Sequence, residues 1–376
     1  MGKLESKRCE NSIEFSCRIL KVNLVLNRMN ERIVTESVSN CIVCGYKGKL
    51  LYAGLRDRLF SAPGTWSLMC CPKCGLVWLN PQPIPEDIGK FYEIYFTHNI
   101  DDSVPKFAQL RRLILNSILA THMGYGSLAD GLALKVIGHV LSWIGPIRRR
   151  VERWVMYLYN RDKGKLLDVG CGSGRFLARL HELGWEVVGV EPDGEAAKLA
   201  REYFRLNVHE GKLEDVCFPD NEFDVITMNH VIEHLSNPIG TLKECWRILK
   251  PGGKLMIATP NIASLGHRLY KKAWRDLDPP RHLYLFSPQT FSTCVAQAGL
   301  NVVKLHTTTR GVRWIWEASK FIQRNGEFPD KSPKKQGMWL HLKGLAFGVI
   351  EYGLNCIWPI GEELMLIATK GVHILR

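Results

Sequence analysis

Apolar and polar positions in the second half of the chain follow two alternating periods. From Lys165 onward, short runs rich in Val, Leu and Ile (KLLDVG, EVVGVEP, FDVITMN, KLMIATPN) alternate with segments of helical periodicity (RFLARLHELG, GEAAKLAREYF, TLKECWRILKPGG). Strands that alternate with helices of about ten to fifteen residues are typical of βαβ units and a parallel sheet. Strand-like runs at 301–309 and 362–369 end the pattern. The sequence therefore predicts a doubly wound α/β fold.

The same pattern divides the chain into four regions. Residues 1–40 form an N-terminal extension, and 41–95 form a small module bracketed by two Cys-x-x-Cys pairs. Residues 96–160 form a helical linker or insertion, because their apolar residues recur with helical periodicity. The α/β domain takes residues 161–376 and contains a helical insertion at 311–358.

Composition limits the class of protein. The 376 residues are 46% hydrophobic, enough for a sizeable core, yet no run of about eighteen uncharged apolar residues predicts a transmembrane helix. Charged residues interrupt the N-terminal segment, so it does not look like a secretory signal. Twelve cysteines without an export signal indicate a reducing compartment and thiolate ligands rather than disulfides. We therefore expect a cytoplasmic protein.

The charge balance favours an anionic partner. Lys and Arg number 50 against 37 Asp and Glu, a formal net charge of +13. The densest basic group, Arg148–Arg150 with Arg153, follows an apolar stretch that begins at Leu110. We expect residues 110–154 to contact an anionic membrane peripherally. The alternative is that these helices pack against the α/β core and carry solvated charges.

Two cysteine pairs have the spacing of a metal site. Cys41 and Cys44 precede Gly45, and Cys71 and Cys74 precede Gly75. Four thiolates in two such pairs suit a closed tetrahedral zinc site, and glycine permits the tight turn that directs both sulfurs inward. The alternatives are buried cysteines without a metal, or a redox pair. We predict one structural Zn²⁺ in a zinc-ribbon-like module.

A glycine-rich turn follows the first strand of the α/β domain. The strand ends at Asp168 and Val169, and Gly170, Gly172 and Gly174 follow at alternate positions. In open α/β sheets this turn lies at the carboxyl edge, where ligands bind. Glu191 ends the next strand, the usual place for an acid that accepts hydrogen bonds from ribose hydroxyls. The G-x-G-x-G spacing differs from the G-x-G-x-x-G of dinucleotide enzymes.

Four motifs in order resemble class I S-adenosylmethionine-dependent methyltransferases. These motifs are LLDVGCGSGRF, VVGVEPD, the segment FPDNEFDVITMNHVIEHLSNP and LKPGGKLMIATPN. The resemblance implies a seven-stranded Rossmann-like sheet and S-adenosyl-L-methionine as cofactor. It places Asp168 near the methionine ammonium group, Glu191 on the ribose, and Lys212 where many members carry an acid. The cofactor-binding residues that it implies are Asp168, Gly170, Cys171, Gly172, Gly174, Glu191, Pro192, Asp193, Leu213, Glu214, Asn229 and His230.

The acceptor would approach from the segment after the fifth strand, residues 262–286. There the string around His282, H-L-x-x-F-S, resembles a loop of sugar C-methyltransferases that carries a catalytic histidine. Pro280 and Arg281 stand where that group has other residues, so transfer to oxygen or to carbon both stay open. His282 and His234 are the catalytic candidates; a loop-packing or structural histidine is the alternative for each. Arg281, Arg275 and Lys272 are candidates to hold a phosphate or carboxylate of the acceptor, with surface charge as the alternative.

The cysteine module resembles the leader modules of bacterial sugar-modifying methyltransferases through CGLVWLNPQP and KFYEIYF. This resemblance implies methyl transfer to a nucleotide-linked or lipid-linked sugar, or a related small metabolite, in surface-polysaccharide biosynthesis. Two alternatives are an RNA or other nucleic-acid methyltransferase with a zinc module, and a quinone-precursor O-methyltransferase. Nucleic acid is the less favoured acceptor, because the Asn/Asp-Pro-Pro-aromatic signature of base methylation is absent after the fourth strand. The sequence predicts no particular oligomer.

Overall fold

A computed structural model describes residues 33–91, 108–328 and 338–371. Parts of the predicted N-terminal extension, cysteine module, helical linker and helical insertion, together with the C-terminus, lie outside these ranges. They are residues 1–32, 92–107, 329–337 and 372–376.

The largest sheet has seven strands, in the order β12-β13-β10-β9-β6-β7-β8. All neighbouring pairs are parallel except those of β13, which runs antiparallel to both β10 and β12. The predicted parallel sheet is confirmed, and the two C-terminal strands lie within one residue of their expected bounds. The strands are β6 at Lys165–Val169, β7 at Glu186–Glu191, β8 at Asn207–Glu210, β9 at Phe223–Asn229, β10 at Leu249–Pro260, β12 at Leu300–Thr308 and β13 at Glu363–Lys370.

Helices connect these strands, as the alternating pattern predicts. Their N-termini are capped where the sequence offers a capping residue: Asp193 accepts from the amide of Ala196, and Ser287 forms a capping box with Thr290. Apolar residues at helical spacing face the sheet, so the core lies on both of its sides. These helices are α4 at Arg175–Glu182, α5 at Gly194–Tyr203, α6 at Leu213–Val216, α7 at Pro238–Ile248, α8 at Leu265–Tyr270 and α9 at Pro288–Gln297.

The cysteine module is built on a second, antiparallel sheet with the order β11-β4-β3-β2. Its outer strand β11 comes from the α/β domain, where Tyr284 pairs with Trp78 of β4. Trp78 is fully buried, and its Nε1 donates to the carbonyl of Val38. The strands outside the large sheet are β1 at Thr35–Glu36, β2 at Lys49–Leu55, β3 at Trp66–Cys70, β4 at Val77–Leu79, β5 at Gln82–Pro83 and β11 at Tyr284–Leu285; β1 and β5 pair separately.

A buried ion triad joins the cysteine module to the loop before β11, which contains Asp278 and Arg281. The guanidinium of Arg281 donates to both carboxylate oxygens of Asp57 at 2.8 Å and also binds Asp278. Asp57 in turn accepts from the backbone amides of Leu59 and Phe60. Arg281 is only 1% exposed, so the expectation that it holds an acceptor anion is wrong. Its partner is a carboxylate of the cysteine module.

The remaining helices lie outside the alternating α/β pattern. In the described part of the chain, three α-helices precede β6: α1 at Ala108–His122, α2 at Leu132–Trp143 and α3 at Gly145–Trp154. Two lie between β12 and β13: α10 at Val312–Asn325 and α11 at Met338–Asn355. In the described ranges, none of the helices has both the length and the apolarity that crossing a bilayer requires.

Candidate cofactor and acceptor site

The glycine-rich turn leaves the sheet between β6 and α4. Gly170, Gly172 and Gly174 have φ values of +69°, +54° and +79°, a region that side chains with a Cβ rarely adopt. A Cβ on Gly170 would lie 2.5 Å from a methyl group of Val231, and one on Gly174 would lie 2.7 Å from the Cβ of Ala200. Both backbone conformation and space therefore require glycine here.

Glu191 at the end of β7 is tied to the glycine turn. Its carboxylate accepts from the amide of Gly172 at 2.7 Å and from the amide of Asp193 at 3.0 Å. The side chain is buried, whereas Pro192 after it is exposed. The expected contact of this carboxylate with ribose hydroxyls stays a prediction. The arrangement orients the carboxylate toward the turn that the sequence predicts to surround the cofactor.

Asp168 is buried beneath the turn. Its carboxylate accepts from the hydroxyl of Thr227 on β9 at 2.6 Å. Burial raises the pKa of Asp168 to about 7, with a further increase from Glu191 that the Thr227 hydrogen bond opposes. A cationic group bound at this end of the sheet would favour the ionised carboxylate. The position is compatible with the expected contact to an ammonium group, which stays a prediction.

Three further predicted cofactor residues lie at the same edge. Cys171 is buried, and burial raises the pKa of its thiol far above the ordinary range. Leu213 is buried at the start of α6, and Glu214 accepts a hydrogen bond from the hydroxyl of Thr241 on α7. Lys212 precedes this helix and is exposed. The thiol and the Leu213 side chain are thus packed inside, and Glu214 links two helices.

Asn229 and His230 belong to a charged network at the end of β9. The Nη2 of Arg153 donates to the Asn229 side-chain oxygen at 2.7 Å, and Arg153 makes a bidentate pair with Glu363. His230 contacts Glu363 at 2.9 Å and Glu233 at 3.1 Å. Burial alone would lower the pKa of His230, but the two carboxylates raise it to about 9. His230 is therefore a cation at neutral pH and a poor general base.

Glu363 is the centre of this network, and sequence reasoning missed it. Besides Arg153 and His230, it accepts from the hydroxyl of Thr308 at 2.7 Å and from Arg310 at 3.4 Å. These charges hold its pKa well below the usual range despite burial. The sequence signal for Glu363 is an acidic residue at the start of the last strand. Because β13 runs antiparallel, its first residue lies beside the carboxyl ends of the parallel strands.

The two catalytic candidates lie together. The rings of His234 and His282 are 4.8 Å apart in an edge-to-face arrangement, next to the buried Glu233. Nδ1 of His234 donates to the carbonyl of Arg281 at 2.9 Å, and Nδ1 of His282 donates to that of Asp276 at 2.7 Å. These bonds leave the proton-accepting lone pair of each neutral ring on Nε2.

The two histidines differ in their surroundings. Burial, together with the neighbouring His282, lowers the pKa of His234 to about 4. The Nε2 of His282 is 4.0 Å from a carboxylate oxygen of Asp278, which would stabilise a protonated ring. His282 is itself buried, at 4% exposure. The pair thus combines a histidine that stays neutral with one that has a carboxylate beside its free nitrogen.

The four predicted metal ligands form one cluster in the module. The Sγ atoms of Cys41 and Cys74 are 3.5 Å apart, and those of Cys44 and Cys71 are 3.3 Å apart. All four sulfurs lie within 4.8 Å of one another. The two turns match, because Gly45 and Gly75 each donate to the carbonyl of the first cysteine and each has a positive φ. The predicted use of glycine after each pair is confirmed.

Comparisons with known proteins find methyltransferases. A family model described as "Methyltransferase domain" matches residues 144–305. The chain is 33% identical over 115 residues to "Probable S-adenosylmethionine-dependent methyltransferase" of Mycolicibacterium smegmatis, which covers 30% of this chain and 45% of that protein. It is 34% identical over 125 residues to the mitochondrial ubiquinone biosynthesis O-methyltransferase of Rattus norvegicus, and the match covers 29% of this chain and 36% of that protein. The chain thus spans less than half the length of these two relatives.

A solved structure of an S-adenosylmethionine-dependent methyltransferase from Archaeoglobus fulgidus is 21% identical. The similarity covers 60% of this chain and 93% of that one, with a TM-score of 0.41.

We predict that replacing Glu191 by Ala weakens binding of S-adenosylhomocysteine. The change removes the expected acceptor of the ribose hydroxyls and costs about 1–3 kcal/mol, a loss of about 5- to 150-fold in affinity. Titration calorimetry measures the affinity, and Glu195→Ala, an exposed acid in the next helix, is the matched control. Equal affinities of wild type and Glu191→Ala would show that the ribose is not bound at Glu191.

Proposed function

We propose that the chain is a class I S-adenosylmethionine-dependent methyltransferase that transfers the methyl group to a small-molecule acceptor bound against residues 262–286. The observation that carries the proposal is the hydrogen-bonded unit of Glu191 and the glycine turn at the carboxyl edge of the sheet. The paired histidines lie at the same edge, because His234 follows β9 and the loop of His282 follows β10.

The residues present fit the cofactor. A turn that only glycine can form, a buried acid at the end of β7 and a second acid beneath the turn suit the amino acid and ribose parts of S-adenosylmethionine. The cofactor would supply an electrophilic methyl group for an in-line displacement. The protein then has to align the acceptor and take up its proton.

His282 is the residue that we propose for proton transfer. Its Nδ1–H is held by the carbonyl of Asp276, so its Nε2 would accept the proton from an acceptor hydroxyl or carbon acid. Asp278 lies on the side of Nε2 and would stabilise the resulting charge. The neutral ring of His234 would pack against His282 and limit its rotation. His234 is thus a positioning residue in this proposal.

The cysteine cluster fits Zn²⁺. A tetrahedral site with Zn–S bonds of about 2.3 Å separates its sulfurs by about 3.8 Å. The shortest sulfur pairs, at 3.3–3.7 Å, are close to this value. Four thiolates from the module would complete the coordination shell, so the ion would have a structural role. It would stabilise the sheet that contains β11 and thereby the loop of His282.

The acceptor that we propose is a sugar, linked to a nucleotide or a lipid, in surface-polysaccharide biosynthesis. The resemblance of the cysteine module to those of sugar-modifying methyltransferases supports this choice. A quinone precursor is the second candidate, because several relatives are named ubiquinone biosynthesis O-methyltransferases. Turnover of the methyl donor with nucleotide-sugars, lipid-linked sugars, polyprenyl phenols and RNA distinguishes the classes. Methylation of RNA alone would contradict the small-molecule proposal.

We predict that His282→Asn lowers kcat about 10²- to 10⁴-fold with the acceptor found in that screen. Asparagine can keep a donor near the position of Nδ1 while Nε2 is lost, so the loop contact to Asp276 can persist. Affinity for S-adenosylhomocysteine should change by no more than a factor of a few. Retention of more than about a tenth of the activity would mean that alignment alone carries the reaction.

A matched control is available in the same segment. His267 is a half-buried histidine whose Nδ1 donates to a backbone carbonyl, that of Ile262, at 2.6 Å. Replacing His267 by Asn should keep most of the activity, because its Nε2 contacts the hydroxyl of Tyr52 in the module. An equal loss in both variants would indicate a packing role for His282.

We predict about one zinc ion per chain by elemental analysis of the purified protein. The double variant Cys44→Ser, Cys74→Ser should lose the metal and unfold at a lower temperature, because metal binding contributes to folding free energy. Cys70→Ser is the matched control, since the Sγ of Cys70 donates to the Cys71 carbonyl and is not among the four clustered sulfurs. Folded wild-type protein without metal would contradict the zinc assignment.

A further inference from the structure

Two neighbouring helical segments expose large apolar side chains to solvent. Trp143 of α2 is 78% exposed, and Trp358 in the turn after α11 is 55% exposed. We refer to the exposed apolar residues of these two segments as the apolar surface. They are Leu132, Val136, Ile137, Val140, Trp143 and Ile144 in the first segment, and Leu342, Leu345, Val349, Ile350, Ile357 and Trp358 in the second.

The two segments adjoin through α3. Gly145 begins α3 directly after the first segment, and a Cβ there would lie 3.1 Å from the hydroxyl of Tyr352 on α11. The guanidinium of Arg149 stacks on the Tyr352 ring at 5.2 Å and contacts the sulfur of Cys356 at 3.9 Å. The apolar surface is therefore shared by α2 and by α11 with the turn that follows it.

The opposite sides of both helices are already packed. On α2, Gly138 is buried so close to the Ser117 carbonyl of α1 that a Cβ would lie 2.1 Å from that oxygen. On α11, Glu351 is fully buried and Phe347 stacks on Trp316. The apolar surface is thus the outward side of helices whose inward sides are anchored, as the helical period requires.

The charges around the apolar surface are predominantly positive. Residues 131–151 contain Lys135 and the three arginines 148–150 but no acid, and 338–350 contain Lys343 but no acid. Glu152 and Glu351, which follow the two stretches, are buried, whereas Asp130, which precedes the first stretch, is exposed. Arg149 and Arg150 are exposed. An occupant of this surface therefore meets an apolar face flanked by cations.

We propose that the apolar surface docks onto the surface of an anionic lipid bilayer. Tryptophan prefers the interface between headgroups and acyl chains, and cations beside an apolar helix face bind anionic headgroups. Between α1 and α2 the surface opens into a groove of about 540 Å³, lined by Thr121, Val136, Val140 and Lys135. This mixture of apolar side chains and a lysine suits a lipid.

Charge argues against a second copy of the chain as the occupant. A two-fold symmetric contact through the apolar surface would bring the cations of both copies into one interface. Like charges across an interface oppose association, whereas an anionic membrane attracts them. The docking does not depend on methyl transfer, because its residues lie outside the cofactor turn and the histidine pair.

Co-sedimentation of the full chain with vesicles tests the proposal. The protein should pellet with vesicles of phosphatidylcholine and phosphatidylglycerol at low salt and much less with phosphatidylcholine alone. Trp143→Ser with Trp358→Ser should abolish pelleting, because both apolar anchors are lost. Arg149→Gln and Arg150→Gln should each weaken it by roughly fivefold.

Exposed apolar residues elsewhere provide the controls. Val303→Ser on β12 and Leu269→Ser on α8 remove exposed apolar side chains outside the apolar surface and should leave pelleting unchanged. Circular dichroism and thermal unfolding of each variant verify that its fold is intact. Absence of pelleting by the wild type with anionic vesicles would overturn the proposal. A lipid-free dimer in analytical ultracentrifugation that dissociates on Trp143→Ser would also overturn it and identify a second copy as the occupant.

Discussion

The buried ion triad of Arg281, Asp57 and Asp278 is the interaction on which the acceptor side of the molecule depends. A buried charge is tolerated only when it is paired, and removing one partner of such a pair costs about 3–5 kcal/mol. The triad therefore requires the cysteine module and the loop after β10 to be in place together. The amides of Arg281 and His282 both donate to the Asp278 carbonyl, so the same triad orients the backbone of the catalytic candidate.

Different physical means build the two sides of the site. On the cofactor side, the turn depends on backbone conformation: three glycines have positive φ, and the carboxylate of Glu191 accepts from the amide of Gly172. On the acceptor side, the structure depends on pairing between distant segments, because β11 joins the sheet of the cysteine module. The Nδ1 atoms of His282 and His234 each donate to a main-chain carbonyl. The first side is local in sequence and the second is not.

This difference explains what could be predicted from the sequence. The strands of the parallel sheet, the glycine turn, the acid at 191 and each of the two cysteine turns can be recognised from a short stretch of consecutive residues. The pairing of Asp57 with Arg281, 224 residues apart, and that of Arg153 with Glu363, 210 residues apart, leave no local signal. The position of Arg281 in a loop therefore predicts that it binds an anion, although its side chain is buried and pairs with the carboxylate of Asp57.

Hydrogen exchange in the isosteric variant Asp57→Asn tests most directly whether the module holds the acceptor loop in place. The account predicts faster amide exchange at residues 278–286, with unchanged protection in β6 and β9, because the variant weakens the tie to Arg281 without touching the large sheet. Unchanged exchange at 278–286, or an equal increase throughout the protein, would contradict it.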